Sequence, residues 1–234
     1  MTSLEGAVVL VTGGTRGLGK AVVDDLLTRG VTKVYATARK PGPSTDRRVI
    51  PLQLETTDQA SVDALPAAAP DVTVLVNNAG IDTSSRSYLD TPIEDLRRTM
   101  DVNYFGTLAV TRAVVPVIEH NGGGHILTML SAMSWAAYGG GYSASKAALW
   151  LQTNGLRLEL LDRGIGVTGL YMGYVDTDMT AGVSSPKTAP ADIAQMALDG
   201  VEADDFEVLA DATAQRAKAG LSLDLTALYP QLKQ

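Results

Sequence analysis

Ala7-Val8-Val9-Leu10-Val11-Thr12-Gly13-Gly14-Thr15-Arg16-Gly17-Leu18-Gly19 decides how this chain reads. Residues 7–11 form a continuous apolar run, the pattern of a strand buried on both faces of a parallel sheet. Glycines at 13, 17 and 19 follow, and residues 18–28 carry helical apolar spacing up to a stop near Gly30. A strand that runs through a glycine loop into a helix is a phosphate-binding layout. Glycine lets the backbone approach a pyrophosphate, and the helix N-terminus offers unpaired N–H groups and positive dipole. The spacing is GxxxGxG, not GxGxxG. A rival reading runs from Gly14 to Gly19-Lys20, as in a nucleotide triphosphatase loop. That motif needs Ser or Thr next for magnesium, and Ala21 stands there; the apolar run 72–76 ends in Asn77-Asn78, not in an Asp.

Working outward, residues 33–37, 49–52, 72–76, 126–130 and 167–171 repeat the strand pattern. Helices are predicted at 58–68, 103–119 and 142–163, with Pro116 kinking the second or marking its last turn. Beyond Tyr171 come a loop at 182–189, a helix at 190–198, a short strand at 207–210 and a final helix. Alternating β and α units predict an α/β fold: a single-domain, Rossmann-like, doubly wound parallel sheet with helices on both faces. One dinucleotide-binding and catalytic domain is expected over residues 1–234. Within it, about 178–234 form a substrate-side loop and a shortened C-terminal region.

The 234 residues suit one α/β domain with a full core. Apolar content of 45% with 19% charged residues argues against disorder. The net charge of −7, with no basic stripe, argues against a nucleic-acid partner. The absence of Cys excludes disulfides, thiolate zinc sites and a Cys nucleophile. Met1-Thr2-Ser3-Leu4-Glu5-Gly6 lacks a leader's basic and apolar regions, and no apolar run is long enough to span a membrane. The expectation is a cytoplasmic protein with no membrane partner and no metal.

Tyr142-Ser143-Ala144-Ser145-Lys146 sets a phenol and an ammonium four residues apart, on one face of a helix. A phenol that ordinarily titrates at about 10 is a poor proton shuttle at neutral pH, and a nearby cation favours its ionised form. The pair makes Tyr142 a candidate general acid or base. Such pairs also arise by chance, as an exposed Lys over a half-buried Tyr, so the rest of the chain must support it.

Four motifs in order do so: residues 12–19, Asn77-Asn78-Ala79-Gly80, Asn103 in Asp101-Val102-Asn103, and Ser131 ahead of Tyr142 and Lys146. With these the chain resembles the short-chain dehydrogenase/reductase family over about its first three quarters. The resemblance implies that Tyr142 is the catalytic acid/base and that Lys146 lowers its pKa and hydrogen-bonds the nicotinamide ribose. Ser131 would hold the substrate carbonyl, and Asn103 would help place a water that extends the proton relay. It also implies cofactor contacts from Gly13, Thr15, Arg16, Gly17, Leu18 and Gly19, from Glu55 and Thr56 near the adenine, and from Asn78, Ala79 and Gly80. Gly173, Val175 and Thr177 would form the nicotinamide loop.

The pattern has departures. Ser131 lies eleven residues before Tyr142, a spacing shorter than the family's, and Ser134 is a rival. Ser131 is preferred because it directly follows the strand 126–130. Met172-Gly173 stands where Pro-Gly is common, which would loosen the loop. The C-terminus is short and lacks a glycine-rich last strand.

Ala36-Thr37-Ala38-Arg39-Lys40 ends the second strand with no carboxylate for a ribose 2′-hydroxyl. Arg39 can grip a 2′-phosphate, and Arg16 adds a second cation, so NADP(H) is expected over NAD(H). Candidate substrate walls are Met133, Trp135, Tyr138, Met172, Tyr174 and Met179. They suit a small hydrophobic ketone or aldehyde, or the matching secondary alcohol, and no Arg/Lys cluster marks a substrate anion. The expected function is an NADP(H)-dependent oxidoreductase acting by hydride transfer. The alternatives are a non-catalytic dinucleotide-binding regulator, the disfavoured triphosphatase, or a dehydratase, epimerase or imine reductase on the same scaffold. Apolar positions along 103–119 and 142–163 exceed what one sheet face buries, which with family habit predicts a homodimer or homotetramer.

Overall fold

The computed structural model describes residues 2–83 and 85–233; Met1, with which the stretch read for a leader begins, lies outside them, as do Ser84 and Gln234. The elements run β1 (Val8–Val11), α1 (Gly17–Thr28), β2 (Lys33–Ala38), β3 (Val49–Gln53), α2 (Gln59–Asp63), α3 (Leu65–Ala68) and β4 (Val74–Asn77). Then come α4 (Ile93–Met100), α5 (Thr107–His120), β5 (Gly124–Met129), α6 (Gly141–Leu160), β6 (Ile165–Tyr171), α7 (Pro190–Glu202), β7 (Glu207–Leu209), α8 (Ala212–Gly220) and α9 (Leu225–Leu228). The strands form one parallel sheet in the order β3-β2-β1-β4-β5-β6-β7. This is the expected Rossmann-like, doubly wound α/β fold. Because β1 leads outward to β2 while β4 starts on its other flank, the winding reverses between β1 and β4. A crevice opens there at the carboxyl ends of the strands.

Side-chain alternation explains why the strands read as unbroken apolar runs. Val9, Val11, Val34, Ala36, Val74 and Val76 face one layer, with Val22, Leu26, Ile193 and Leu198 of α1 and α7. Leu10, Tyr35, Leu75 and Ile126 face the other, with Val110, Val114 and Ile118 of α5 and Leu160 of α6. Each fully buried Val, Leu or Ile contributes roughly 1.5–3 kcal/mol by leaving water, so the two layers together hold the sheet. Arg29 ties α1 to α7 through Asp199 at 2.7 Å and Glu202 at 2.6 Å.

Several expectations are corrected. The helix predicted over 58–68 breaks into α2 and α3 at Ala64, because Pro66 has no N–H to continue the ladder. No helix was foreseen at Ile93–Met100; it runs through a π-helical turn, Asp101–Gly106, into α5, so Asn103 lies mid-helix and not at a start. Pro116 stands at the start of the last turn of α5, as expected. The short strand expected at 207–210 is present as β7, which pairs Glu207, Val208 and Leu209 with Gly169, Leu170 and Tyr171 of β6 and carries no glycine. Among the described residues no helix is long and apolar enough to cross a membrane.

Candidate active site

The crevice is a cavity of about 480 Å³ above the carboxyl ends of the strands. Its floor begins with the glycine loop, which is stitched to β2 and to the turn after β4. Gly14 N–H donates to the Thr37 carbonyl at 3.0 Å. Thr12 Oγ1 accepts from the N–H groups of Asn78 (2.9 Å) and Ala79 (3.0 Å), and Asn78 Nδ2 donates to the Thr12 carbonyl at 2.8 Å. Gly13 (φ +65°) and Gly17 (φ +52°) hold left-handed conformations. Arg16 begins α1 without capping it through its side chain, and Gly17, Leu18 and Gly19 of the first turn line the cavity, an arrangement suited to an anion at a helix N-terminus.

Of the catalytic and cofactor residues expected from the resemblance, all but Asn103 line this one cavity. Gly13, Thr15, Arg16, Gly17, Leu18 and Gly19 form the loop wall; Arg39, Glu55 and Thr56 lie past β2 and β3; Asn78, Ala79 and Gly80 follow β4. Ser131, Tyr142 and Lys146 meet Gly173, Val175 and Thr177 at the other end. A continuous trough with a backbone-lined phosphate cradle at one end and donors at the other fits an extended dinucleotide.

Local structure aims the three polar side chains. β5 ends at Met129, and Ser131 opens a short helical turn two residues later, its Oγ accepting from Met133 N–H at 3.1 Å. The rival Ser134 is buried and does not line the cavity. Tyr142 sits in the first turn of α6, after Gly140 in a left-handed conformation (φ +54°). Ser143 locks that turn by donating to the Ala136 carbonyl (2.7 Å) and accepting from Gly139 N–H (2.9 Å). Lys146, one turn on, is buried, and its Nζ donates to the Met129 carbonyl at 2.8 Å.

This arrangement revises the expected electrostatics. Burial pushes the Tyr142 phenol up to about 12, opposed by a hydrogen bond with Ser131. Burial pulls the Lys146 ammonium down to about 8. The ammonium is engaged by a carbonyl and lies 5.7 Å from the centre of the Tyr142 ring, so it does not pull the phenol below its ordinary value here.

Asn103 is fully buried in the π-helical turn. Its Nδ2 donates to the Ile81 carbonyl and to Ser145 Oγ, both at 2.9 Å, and its Oδ1 accepts from Ile81 N–H at 2.8 Å. Its side chain therefore braces the strand-end loop against α6 from behind the cavity. Among the proposed walls, Met133, Tyr138, Met172, Tyr174 and Met179 line the cavity, whereas Trp135 stacks on Tyr171 in the core with ring centres 4.1 Å apart. Sequence reading missed Asp82, Arg86 and Thr213, which also line it. Arg86 pairs with Asp82 at 2.9 Å. Their spacing of four was a usable charge-pair signal, but they lie in a loop outside every predicted helix. Thr213 had no signal, because it reaches the cavity only through the C-terminal fold.

A sequence profile of the short chain dehydrogenase family matches residues 7–188. An NADP-dependent 3-hydroxy acid dehydrogenase of Schizosaccharomyces pombe is 30% identical over 196 residues, 77% of this chain and 76% of that protein. A 3-oxoacyl-[acyl-carrier-protein] reductase of Escherichia coli is 29% identical over 198 residues, 80% of this chain and 81% of that protein. A crystal structure of a short chain dehydrogenase from Burkholderia cenocepacia J2315 in complex with NADP superposes with a TM-score of 0.91 at 37% identity. It covers 99% of this chain and 100% of that one.

Proposed function

This chain belongs to the short-chain dehydrogenase/reductase family of oxidoreductases, and from that premise we propose that it reduces a ketone or aldehyde with NADPH, or oxidises the matching secondary alcohol with NADP⁺. The observation that carries this reading is the meeting of Ser131, Tyr142 and Lys146 in the same cleft that the glycine loop lines. A bound nicotinamide supplies or takes up the hydride. Ser131 and Tyr142 are the donors that meet negative charge growing on a carbonyl oxygen, and Tyr142 delivers the proton. Its raised pKa keeps the phenol protonated, the form that reduction needs. The buried Lys146 beside the ring favours the phenolate as it forms. Asn103 is a positioning residue that braces α6 through Ser145.

The preference for NADP(H) rests on Arg39, exposed on the cleft wall past β2. The NADP complex of the Burkholderia relative supports it. Apolar walls from Met133, Tyr138 and Met179 favour a small hydrophobic substrate. The named activities of the two curated relatives add 3-oxoacyl compounds and 3-hydroxy acids to the panel. The chain is read as one cytoplasmic dinucleotide-binding and catalytic domain, with residues 178–234 on the substrate side. Leu151, Leu158 and Leu161 of the α6 region stand exposed, which supports a homodimer or homotetramer; a monomer in sedimentation would remove that part. The reaction is tested by following NADPH loss over ketones, aldehydes and 3-oxoacyl thioesters. No turnover on any, with NADPH still bound, would leave the regulator reading in its place.

A further inference from the structure

Beyond β7 the chain returns to the cleft. Asp211 stands at the N-terminal end of α8, and its carboxylate is divided between two backbones. Oδ1 accepts from Ala214 N–H at 2.8 Å and caps the helix. Oδ2 accepts from Gly173 N–H at 2.6 Å, in the turn that leaves β6. The approach is close enough that a Cβ on Gly173 would lie 3.1 Å from both Asp211 Oδ2 and Thr213 Cβ. Two residues past Asp211, Thr213 lines the cavity itself. On the other side of the turn, the Met172 carbonyl accepts from Ala132 N–H at 2.8 Å. The Met172-Gly173 turn, which holds no proline, is thus gripped from both sides, and Val175 and Thr177 follow it into the cleft.

We propose that Asp211 is a positioning residue for the nicotinamide end of the bound dinucleotide: it fixes the Gly173 backbone, and through it Val175–Thr177, against the catalytic wall. A segment outside the family-matched residues 7–188 therefore completes the cofactor site. The inference rests on the reading of this cleft as a dinucleotide site. The sequence expectation of a loosened loop is answered by this carboxylate, which replaces ring stiffness with a charge-assisted hydrogen bond.

The test uses the full chain and two variants that keep a helix cap. D211S retains one oxygen for Ala214 N–H, and D211N caps as well as Asp but turns an amide N–H₂ toward Gly173. Q215G loosens exposed α8 and leaves Asp211 in place. Fluorescence titration measures the dissociation constants for NADPH and for 2′,5′-ADP, which lacks the nicotinamide. Loss of one charge-assisted bond predicts roughly tenfold weaker NADPH binding in D211S and D211N. Binding of 2′,5′-ADP should stay within about twofold, and Q215G should change neither, because only the nicotinamide end is disturbed. NADPH binding unchanged in both Asp211 variants, or equal loss of 2′,5′-ADP, overturns the proposal. Failure of the wild-type chain to bind any nicotinamide dinucleotide is read first and brings down the function reading itself.

Discussion

Gly19 packs directly on the carbonyl oxygen of Gly13: a Cβ at position 19 would overlap that oxygen, and its next neighbour would be Asn78 Nδ2 at 2.5 Å. The first turn of α1 is thereby pressed onto the loop that ends β1. Overpacking of this kind costs about 1–3 kcal/mol, and relief would come from backing α1 away from the cradle. G19A is expected to lower the unfolding midpoint and to weaken NADPH binding at least roughly tenfold, measured by titration. G182A, where a Cβ meets nothing within 4 Å, serves as the control and should bind like wild type.

Tyr142 and Ser131 are expected to separate chemistry from binding. Y142F removes the proton and should reduce kcat by about 10²–10⁴ while NADPH affinity stays near wild type. S131A should lose activity on a similar scale, because a donor to the developing oxyanion is gone. S134A should not, since Ser134 does not line the cavity. Steady-state rates that invert the order of the two serine variants would return the role to Ser134.

Lys146 predicts a stability that depends on pH. Its folded value of about 8 lies below the ordinary 10.5, so between these values the unfolded chain binds more protons. Stability therefore rises with pH across that window, and the cost of the buried charge, on the order of 3 kcal/mol, is fully present below about pH 8. Tyr142, raised to about 12, acts in the opposite sense only above about pH 10. Denaturant unfolding of wild type and K146M between about pH 7.5 and 9.5 should show the wild type gaining on the variant. A pH-independent difference would contradict it.

Arg39 predicts cofactor choice. With no carboxylate at the end of β2, R39D places a negative charge where a 2′-phosphate would lie and an acceptor where a 2′-hydroxyl would. NADPH kcat/KM should fall by tenfold or more, roughly one lost charge-assisted bond, while NADH kcat/KM holds or rises. Parallel assays with both cofactors decide it.

Much of the fold was legible because the inner strands are buried on both faces and so write themselves as apolar runs. The runs at 7–11, 33–37 and 167–171 match β1, β2 and most of β6. The helix at Ile93–Met100 was harder to read although Ile93, Leu96 and Met100 stand at helical spacing: it is eight residues long, the charged residues Glu94, Asp95, Arg97 and Arg98 fill half of it, and its buried residue is Thr99. The glycine loop and the Tyr142–Lys146 pair were readable for a related reason: their geometry is local, set by φ values and by the helical repeat.

By itself the sequence determined the alternating βα order, the phosphate-cradling loop at the end of β1, and a phenol and an ammonium on one face of one helix. Tertiary structure alone decided what those groups touch. It gave Lys146 to the Met129 carbonyl, Asn103 to Ile81 and Ser145, Trp135 to the core, and Gly173 to Asp211, 38 residues further along the chain. The physical reason is range. Backbone stiffness and side-chain period act over a few residues and are written in order along the chain. Hydrogen bonds that close a site join elements brought together by the burial of two apolar layers, and no local period records which partner arrives.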